Sequence, residues 1–287
     1  MGVTRYFSSP LRYPGGKGKF SHFVKQVFEA NELLDGHYVE PYAGGAGVAL
    51  ELLFHEYASV IHINDVDLAV YSFWLSATKH TDELCRLIRD TPVDMDNWYR
   101  SKGVLAEIEN YSVTDVAMAT FFLNRTNRSG ILNAGVIGGK AQAGKWKLDV
   151  RYNKDDLIKR IQLIGRFANR IKIYNKDAVD FLVQDVSQLP LKSLVYLDPP
   201  YYVKGAGLYR NFYCHDDHVR IAEVMGGVAH PWIVSYDNVS QVKEIYSQYR
   251  QDEYFLSYTA QVKKKGSEVM IYGPDIVVPY QGLSKTG

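Results

Sequence analysis

A strand–turn–helix–strand segment between His37 and Asp65 constrains the fold more than any other part of the chain. The apolar run His37–Glu40 predicts a strand, and the apolar spacing of Val48–Tyr57 predicts a helix. The turn between them contains three glycines: Gly44, Gly45 and Gly47. A second apolar run, SVIHIN, then ends at Asp65. This order is a βαβ unit, which predicts an α/β fold with parallel strands.

Two acidic residues of this segment indicate the charge of its ligand. Glu40 ends the first strand within the turn, and Asp65 ends the second strand, where an acid can accept ribose hydroxyls. A glycine turn lets the backbone approach a ligand closely, but Glu40 would repel a phosphate there. A cationic nucleoside without phosphate, such as S-adenosylmethionine, fits better. The alternatives are a dinucleotide site and a turn that only packs helix on strand. The predicted donor site comprises Glu40, Pro41, Gly44, Gly45, Gly47 and Asp65.

A second motif, Asp198-Pro199-Pro200-Tyr201, follows the buried-type run Leu194–Leu197. Open α/β sheets bind ligands at the carboxyl ends of strands, and the two prolines stiffen this turn. Asp198 and the Pro199 carbonyl could accept both N–H bonds of a nucleobase amine, while Tyr201 stacks on the base. The motif therefore predicts these four residues as a catalytic site for methyl transfer to a flipped-out base, and Asp198 also as a donor-binding residue. The alternative is a chance Asp-Pro turn.

The remaining pattern predicts an inserted domain. Residues 68–105 are helical in spacing, and residues 127–153 are rich in glycine and lysine without a helical period. An insertion of roughly 85 residues within an α/β sheet is typical of a second domain. We therefore expect a Rossmann-like, doubly wound catalytic domain formed by 1–70 and 158–287. A mainly helical target-recognition domain is expected at 71–157.

Charge is unevenly distributed along a chain whose net charge is only +1. Residues 125–172 hold twelve lysines and arginines against three acids, and the chain has 22 tyrosines. A solvated basic face is the simple interpretation, and a surface that binds nucleic acid is the alternative that we pursue. The predicted DNA contacts are Arg125, Asn127, Arg128, Lys140, Lys145 and Lys147.

The cysteines and the apolar runs limit the class of protein. Cys85 and Cys214 lack a paired spacing, which argues against a disulfide scaffold and a zinc site. The first 20 residues lack the apolar core of a signal peptide, and no apolar run of about 18 residues occurs. We expect a cytoplasmic protein that needs no metal, and the oligomeric state stays open.

Four motifs in order resemble the D12 class of adenine-N6 DNA methyltransferases, to which Dam-like enzymes belong. They are LRYPGGK at 11–17, EPYAGGAG at 40–47, NDVD at 64–67 and DPPY at 198–201. A recognition insert, which contains FFLNRTNRSG, separates the donor motifs from the catalytic motif, as in the α group. The resemblance implies S-adenosylmethionine as donor, double-stranded DNA as partner and adenine as target. It does not extend to GATC specificity, because residues 131–153 lack the Arg–x–Gly–x–Phe–Asn–Val–Pro pattern of the GATC-specific members.

The resemblance also implies roles for single residues. Tyr13 and Lys17 would line the donor pocket, and Asp65 would hold the ribose. Asp177 and Phe181, in NKDAVDFL, would hold the donor's adenine. Ala46 stands where the family often has glycine. Cytosine-N4 or RNA adenine methylation, a non-catalytic DNA-binding module and an NAD-dependent oxidoreductase remain alternatives, although the last gives no reason for the tyrosines after the prolines.

Overall fold

A seven-stranded sheet forms the centre of the computed structural model, which describes residues 9–12, 18–203, 213–256 and 266–279. The strands are β1 (Gly36–Glu40), β2 (Ala58–Asn64), β3 (Ile171–Tyr174), β4 (Ser193–Leu197), β5 (Trp232–Asp237), β6 (Arg250–Leu256) and β7 (Gly266–Tyr272). Their order in the sheet is β3-β2-β1-β4-β5-β7-β6. β1 pairs in parallel with β2 and β4, and β4 with β5, whereas β7 runs antiparallel to β5 and β6. The predicted Rossmann-like α/β fold is confirmed.

Helices occupy most of the chain between the strands. The described helices are α1 (Gly18–Ala30), α2 (Gly47–Phe54), α3 (Leu68–Lys79), α4 (Thr81–Asp90), α5 (Met95–Ala106), α6 (Val113–Thr126), α7 (Lys154–Arg166), α8 (Ala178–Gln184), α9 (His215–Gly226) and α10 (Ser240–Ile245). Several begin at a side chain that accepts a backbone N–H of the first turn, which offsets the unpaired donors of a helix start. These caps are Asp67, Asp94, Ser112, Asn153 and Asp177. No helix in the described ranges is long and apolar enough to cross a lipid bilayer.

The chain forms two compact units. The first contains residues 67–175 with the described residues 9–12, and the second contains residues 18–66 with the described residues from 176 onward. In the first unit α3 and α6 pack through Phe73 and Phe121, whose rings stack at 6.0 Å, and Tyr152 meets Phe121 edge-on at 5.4 Å. The functional assignment of a recognition domain to 71–157 stays a prediction.

The second unit contains the point at which the strand order reverses. β1 and β4 are neighbours in register, with Tyr38 opposite Leu194 and Val39 opposite Val195. Every residue of β4 and of β5 is buried, as expected for central strands covered on both faces. After β1 the chain continues to β2 on one side of this strand pair, and after β4 it continues to β5 on the other side. The strand order therefore reverses between β1 and β4. The crevice outside the carboxyl ends of such a strand pair is where open α/β sheets bind ligands.

Candidate active site

The glycine turn is built around two carboxylates. Glu40, 5% exposed, accepts a hydrogen bond from the backbone N–H of Ala49 in the first turn of α2, at 3.2 Å. Asp65 accepts the N–H of Gly44 through Oδ2 at 2.9 Å. Gly44 and Ala46 both have φ of 44°, the left-handed region that favours glycine. The turn therefore folds with its amides directed at Glu40 and Asp65.

A buried asparagine joins this turn to the segment before α8. The Nδ2 of Asn64 donates to the carbonyl oxygens of Pro41 and Lys176, each at 3.0 Å. Its Oδ1 accepts the N–H of Lys176 at 2.9 Å. Asn64 thereby holds Asp177, the next residue, beside the predicted donor residues.

The two residues that the resemblance assigns to the donor's adenine occupy different environments. Asp177 is exposed and caps α8 by accepting the N–H of Val179 at 2.9 Å. Phe181 is 0% exposed and belongs to the core beneath that helix start. Of the remaining donor residues, Pro41 and Gly45 are buried and Gly47 is exposed at the start of α2. Their contacts with a donor stay a prediction.

A chain of hydroxyl groups ends at the half-buried Asp198. Ser235, on β5 and 0% exposed, donates to Oδ1 of Asp198 at 2.8 Å. The hydroxyls of Tyr196 and Ser235 lie 2.7 Å apart. Because the single Ser235 proton points at the carboxylate, Tyr196 must be the donor in this pair. Ser235 therefore fixes one oxygen of Asp198 from the neighbouring strand.

The turn after the prolines is held by the acid that ends β5. Asp237, 7% exposed, accepts the N–H of Tyr202 at 2.9 Å and the N–H of Val203 at 3.1 Å, one on each oxygen. Pro199 and Pro200 are buried. Hydrogen bonds to a charged acceptor are roughly twice as strong as neutral ones. The backbone path that leaves Asp198 is therefore fixed on both sides of the prolines.

The tyrosine of the motif is tied to the antiparallel part of the sheet. The hydroxyl of Tyr201 donates to Oε1 of Glu268 at 2.5 Å, and the hydroxyl of Tyr254 donates to the other oxygen. Glu268 lies on β7 and is 2% exposed. Tyr201 itself is half-buried.

Negative charge collects at the ends of β1 and β4. Burial raises the pKa of Tyr38 well above its ordinary value, and the carboxylates of Glu40 and Asp198 raise it further. Burial is also the largest cause of the raised pKa of Tyr196, followed by the charge of Asp198. Glu40 and Asp198 follow neighbouring parallel strands and so end at the same edge of the sheet. This part of the site consequently favours a cationic ligand over an anionic one.

Arg125 and Asn127, two predicted DNA contacts, hold the backbone of the first unit. Asn127, 0% exposed, accepts from the indole N–H of Trp98 at 2.7 Å and donates to the carbonyls of Ile131 and Leu132. Arg125 donates from Nε to the carbonyl oxygen of Arg151 at 2.7 Å. Asn127 thus has a structural role in shaping the loop, and direct DNA contact by either residue stays a prediction.

The other predicted DNA contacts are exposed. Arg128 and Lys140 line a cavity of about 270 Å³ together with Trp98. The ammonium of Lys145 lies 5.5 Å from the ring centroid of Trp146, which is 59% exposed. Lys147 donates to the carbonyl of Gln142. Tyr13 and Lys17 lie outside the described residues.

Sequence reasoning missed three residues that hold the turn at Asp198–Tyr201: Ser235, Asp237 and Glu268. Asp237 had a usable signal, since WIVSYD is an apolar strand that ends in an acid, as are the strands before Asp65 and Asp198. Ser235 and Glu268 had none, because both lie within strands of ordinary composition.

The fold is an α/β sheet of the Rossmann-like type, with acidic turns at the carboxyl ends of β1, β2 and β4. A model of the D12 class N6 adenine-specific DNA methyltransferase family matches residues 13–263. The chain belongs to this family, which indicates a DNA methyltransferase enzyme. The resemblance inferred from the four motifs is thereby confirmed.

Comparison with solved structures gives weaker likenesses. A Listeria monocytogenes protein, provisionally described as a class I S-adenosylmethionine-dependent methyltransferase, is 10% identical with a TM-score of 0.41, over 98% of this chain and 66% of its own. An Escherichia coli protein, provisionally described as the methyltransferase yhhF, is 12% identical with a TM-score of 0.37, over 91% of this chain and 88% of its own. At these TM-scores neither carries an argument about this chain. No curated protein gave a significant match.

Proposed function

We propose that this protein transfers a methyl group from S-adenosylmethionine to the N6 amine of adenine in a specific sequence of double-stranded DNA, after the base is flipped out of the helix. The observation that carries the proposal is the position of Asp198. Its turn follows β4, Glu40 ends the adjacent β1, and the strand order reverses between them. An acceptor for an amine and an acidic site for a donor would thus share one crevice.

The residues of the glycine turn fit a cationic, phosphate-free donor. In dinucleotide sites the pyrophosphate binds the exposed amides of the helix start. Here Glu40 accepts the N–H of Ala49 in that first turn, and its charge would repel a phosphate. Asp65 and Asp177 offer carboxylate oxygens that could accept the donor's ribose and amine hydrogens. When bound, the donor supplies an electrophilic methyl group on a positively charged sulfur.

The catalytic turn would prepare the adenine amine. The lone pair of N6 is delocalised into the ring, so the amine is a poor nucleophile. Asp198 and the Pro199 carbonyl oxygen would accept its two N–H bonds, draw the nitrogen toward tetrahedral geometry and localise that lone pair. Tyr201 would stack on the flipped base, a contact worth about 1–3 kcal/mol. Catalysis would then consist mainly of positioning and electrostatic stabilisation.

Four arginines of the first unit act on one another electrostatically: Arg12, Arg125, Arg151 and Arg160. Burial, and then the charges of Arg12 and Arg160, lower the pKa of Arg125 to about 10. Burial and the charge of Arg151 likewise lower the pKa of Arg12. Asp156 pairs with Arg160 at 2.7 Å. A phosphate at the exposed Arg151 would relieve part of this repulsion, and such a contact would release counterions from DNA.

Product analysis tests the proposal. The protein is incubated with S-adenosylmethionine labelled in its methyl group and, separately, with plasmid DNA free of methylated bases and with RNA; digested nucleosides are then identified by mass spectrometry. We expect label in N6-methyladenine from DNA alone. Label in N4-methylcytosine would indicate a cytosine-N4 methyltransferase, and label from RNA would indicate an RNA methyltransferase. Donor binding without turnover would indicate a non-catalytic DNA-binding module. Sequencing the methylated plasmid gives the recognition sequence.

A further inference from the structure

We propose that Glu268 is a positioning residue that holds the Tyr201 ring where it meets the target base. This inference rests on the proposed function, in which Tyr201 is the stacking surface. The hydroxyl of Tyr201 donates to one oxygen of Glu268, at 2.5 Å, and the hydroxyl of Tyr254 donates to the other. A tyrosine anchored at its distal end cannot swing about its Cα–Cβ bond, so the ring axis keeps one direction.

The location of Glu268 argues against a role in stability alone. It lies on an inner strand of the antiparallel part of the sheet, directly opposite Tyr254 on β6 and Asp237 on β5. Both acids are buried, at 2% and 7% exposed. Like charges directly opposite each other on neighbouring strands are destabilising. An apolar residue at 268 would avoid that repulsion.

The two acids have complementary targets in the same turn. Asp237 accepts the backbone N–H groups of Tyr202 and Val203, whereas Glu268 accepts the side-chain hydroxyl of Tyr201. Asp237 therefore fixes the path of the main chain, and Glu268 fixes the ring that projects from it. Together they convert a flexible loop residue into a fixed surface, which lowers the conformational entropy lost when a base stacks on it.

The kinetic test compares Glu268→Gln with the parent protein on plasmid DNA that lacks N6-methyladenine. We expect kcat to fall on the order of tenfold to a hundredfold, because small misplacement of a positioned group has such effects. The donor's dissociation constant should change by no more than about twofold, since the donor residues are untouched. The matched control is Glu253→Gln on β6, whose side chain is 51% exposed and pairs with Lys243; it should keep the parental kcat.

A double-mutant cycle separates positioning from a general structural effect. If Glu268 acts through the Tyr201 hydroxyl, adding Glu268→Gln to Tyr201→Phe should not lower kcat further. An equal loss in both backgrounds would overturn the proposal. Tyr201→Phe breaks the same contact while Glu268 stays intact, so it provides the test if Glu268→Gln does not fold. A parental kcat in Tyr201→Phe would also overturn the proposal.

The contact can also be measured without catalysis. 3-Fluorotyrosine placed at position 201 should give a ¹⁹F resonance that shifts in Glu268→Gln and stays unchanged in Glu253→Gln. An identical resonance in parent and Glu268→Gln refutes the contact itself. If the resonance shifts in Glu268→Gln but the parent protein places no methyl group on DNA adenine, the contact stands and the proposed function is refuted.

Discussion

Replacing Ser235 by alanine removes both hydrogen bonds that its hydroxyl makes. The bond to Asp198 ends on a carboxylate, and such bonds contribute about 1.5–3 kcal/mol. Asp198 is half-buried, so water can replace part of that interaction. The hydroxyl of Tyr196, 3% exposed, would lose its hydrogen bond with Ser235 where water has little access, at a cost of about 1–3 kcal/mol. We therefore expect the free energy of unfolding to fall by about 1–3 kcal/mol, mostly through Tyr196.

Activity should respond through Asp198, by a separate route. Without Ser235 the carboxylate can rotate, and we expect kcat for methyl transfer to plasmid DNA to fall roughly tenfold to a hundredfold. In the double variant Ser235→Ala/Tyr196→Phe the tyrosine hydroxyl is removed together with its Ser235 partner, so thermal stability should return while kcat stays low. Tyr196→Phe alone keeps the bond from Ser235 to Asp198 and should keep most of its kcat.

The assays are a thermal unfolding midpoint and initial rates of methyl incorporation at saturating donor. A kcat that recovers together with stability in the double variant would show that Ser235 acts on the fold alone. Parental kcat in Ser235→Ala would show that the orientation of Asp198 does not depend on this hydroxyl.

Three further perturbations probe other parts of the site and the fold. Asp237→Asn places an amide against one of the two N–H groups that Asp237 accepts, so kcat should fall about tenfold or more while donor affinity, measured by calorimetry, is retained; loss of both in parallel would contradict this. Burial is the main cause of the lowered pKa of His218, so below about pH 6.5 the unfolded chain binds a proton that the folded chain does not. The free energy of unfolding should therefore decrease as the pH is lowered, by at most about 1.4 kcal/mol per pH unit. His218→Gln should flatten the thermal midpoint between pH 7 and pH 5, and an unchanged slope would assign the effect to other groups. Burial raises the pKa of Cys85 to about 11, so a thiol reagent at pH 7.5 should label only the exposed Cys214 in the native protein and both cysteines after denaturation; rapid labelling of native Cys85 would refute its burial.

The sequence predicted those parts of the site that are encoded locally. The strand before Glu40, the glycine turn and the strand before Asp65 are contiguous, so periodicity and turn residues suffice to place them. The same holds for Asp198, which directly follows an apolar run. In each case a strand end and an acid are neighbours in the chain, and the carboxyl ends of parallel strands meet at one edge of the sheet.

The contacts that hold the turn at Asp198–Tyr201 depend on the order of the strands, which is not encoded locally. Ser235 and Glu268 lie 37 and 67 residues from their partners Asp198 and Tyr201. They come into contact only because β5 lies beside β4 and because β7 enters the sheet between β5 and β6. Nothing in the sequence around Glu268 indicates that this residue is buried on an inner strand.

Composition also could not distinguish a DNA contact from a residue that shapes the loop. Asn127 and Arg125 belong to the basic stretch, yet both side chains donate hydrogen bonds to backbone carbonyls of their own unit. Lys140 and Lys145, from the same stretch, are exposed. Local charge predicts the sign of a surface, and packing decides which of its side chains face outward.

A single-turnover experiment tests the role of Asp198 most directly. Protein saturated with labelled S-adenosylmethionine is mixed with an excess of plasmid DNA, and the first-order rate constant of methyl transfer is measured for the parent, for Asp198→Asn and for the control Asp252→Asn, whose side chain is 46% exposed. We predict a rate constant at least about a hundredfold lower in Asp198→Asn at saturating donor, with Asp252→Asn equal to the parent. Transfer by Asp198→Asn at the parental rate would contradict the account.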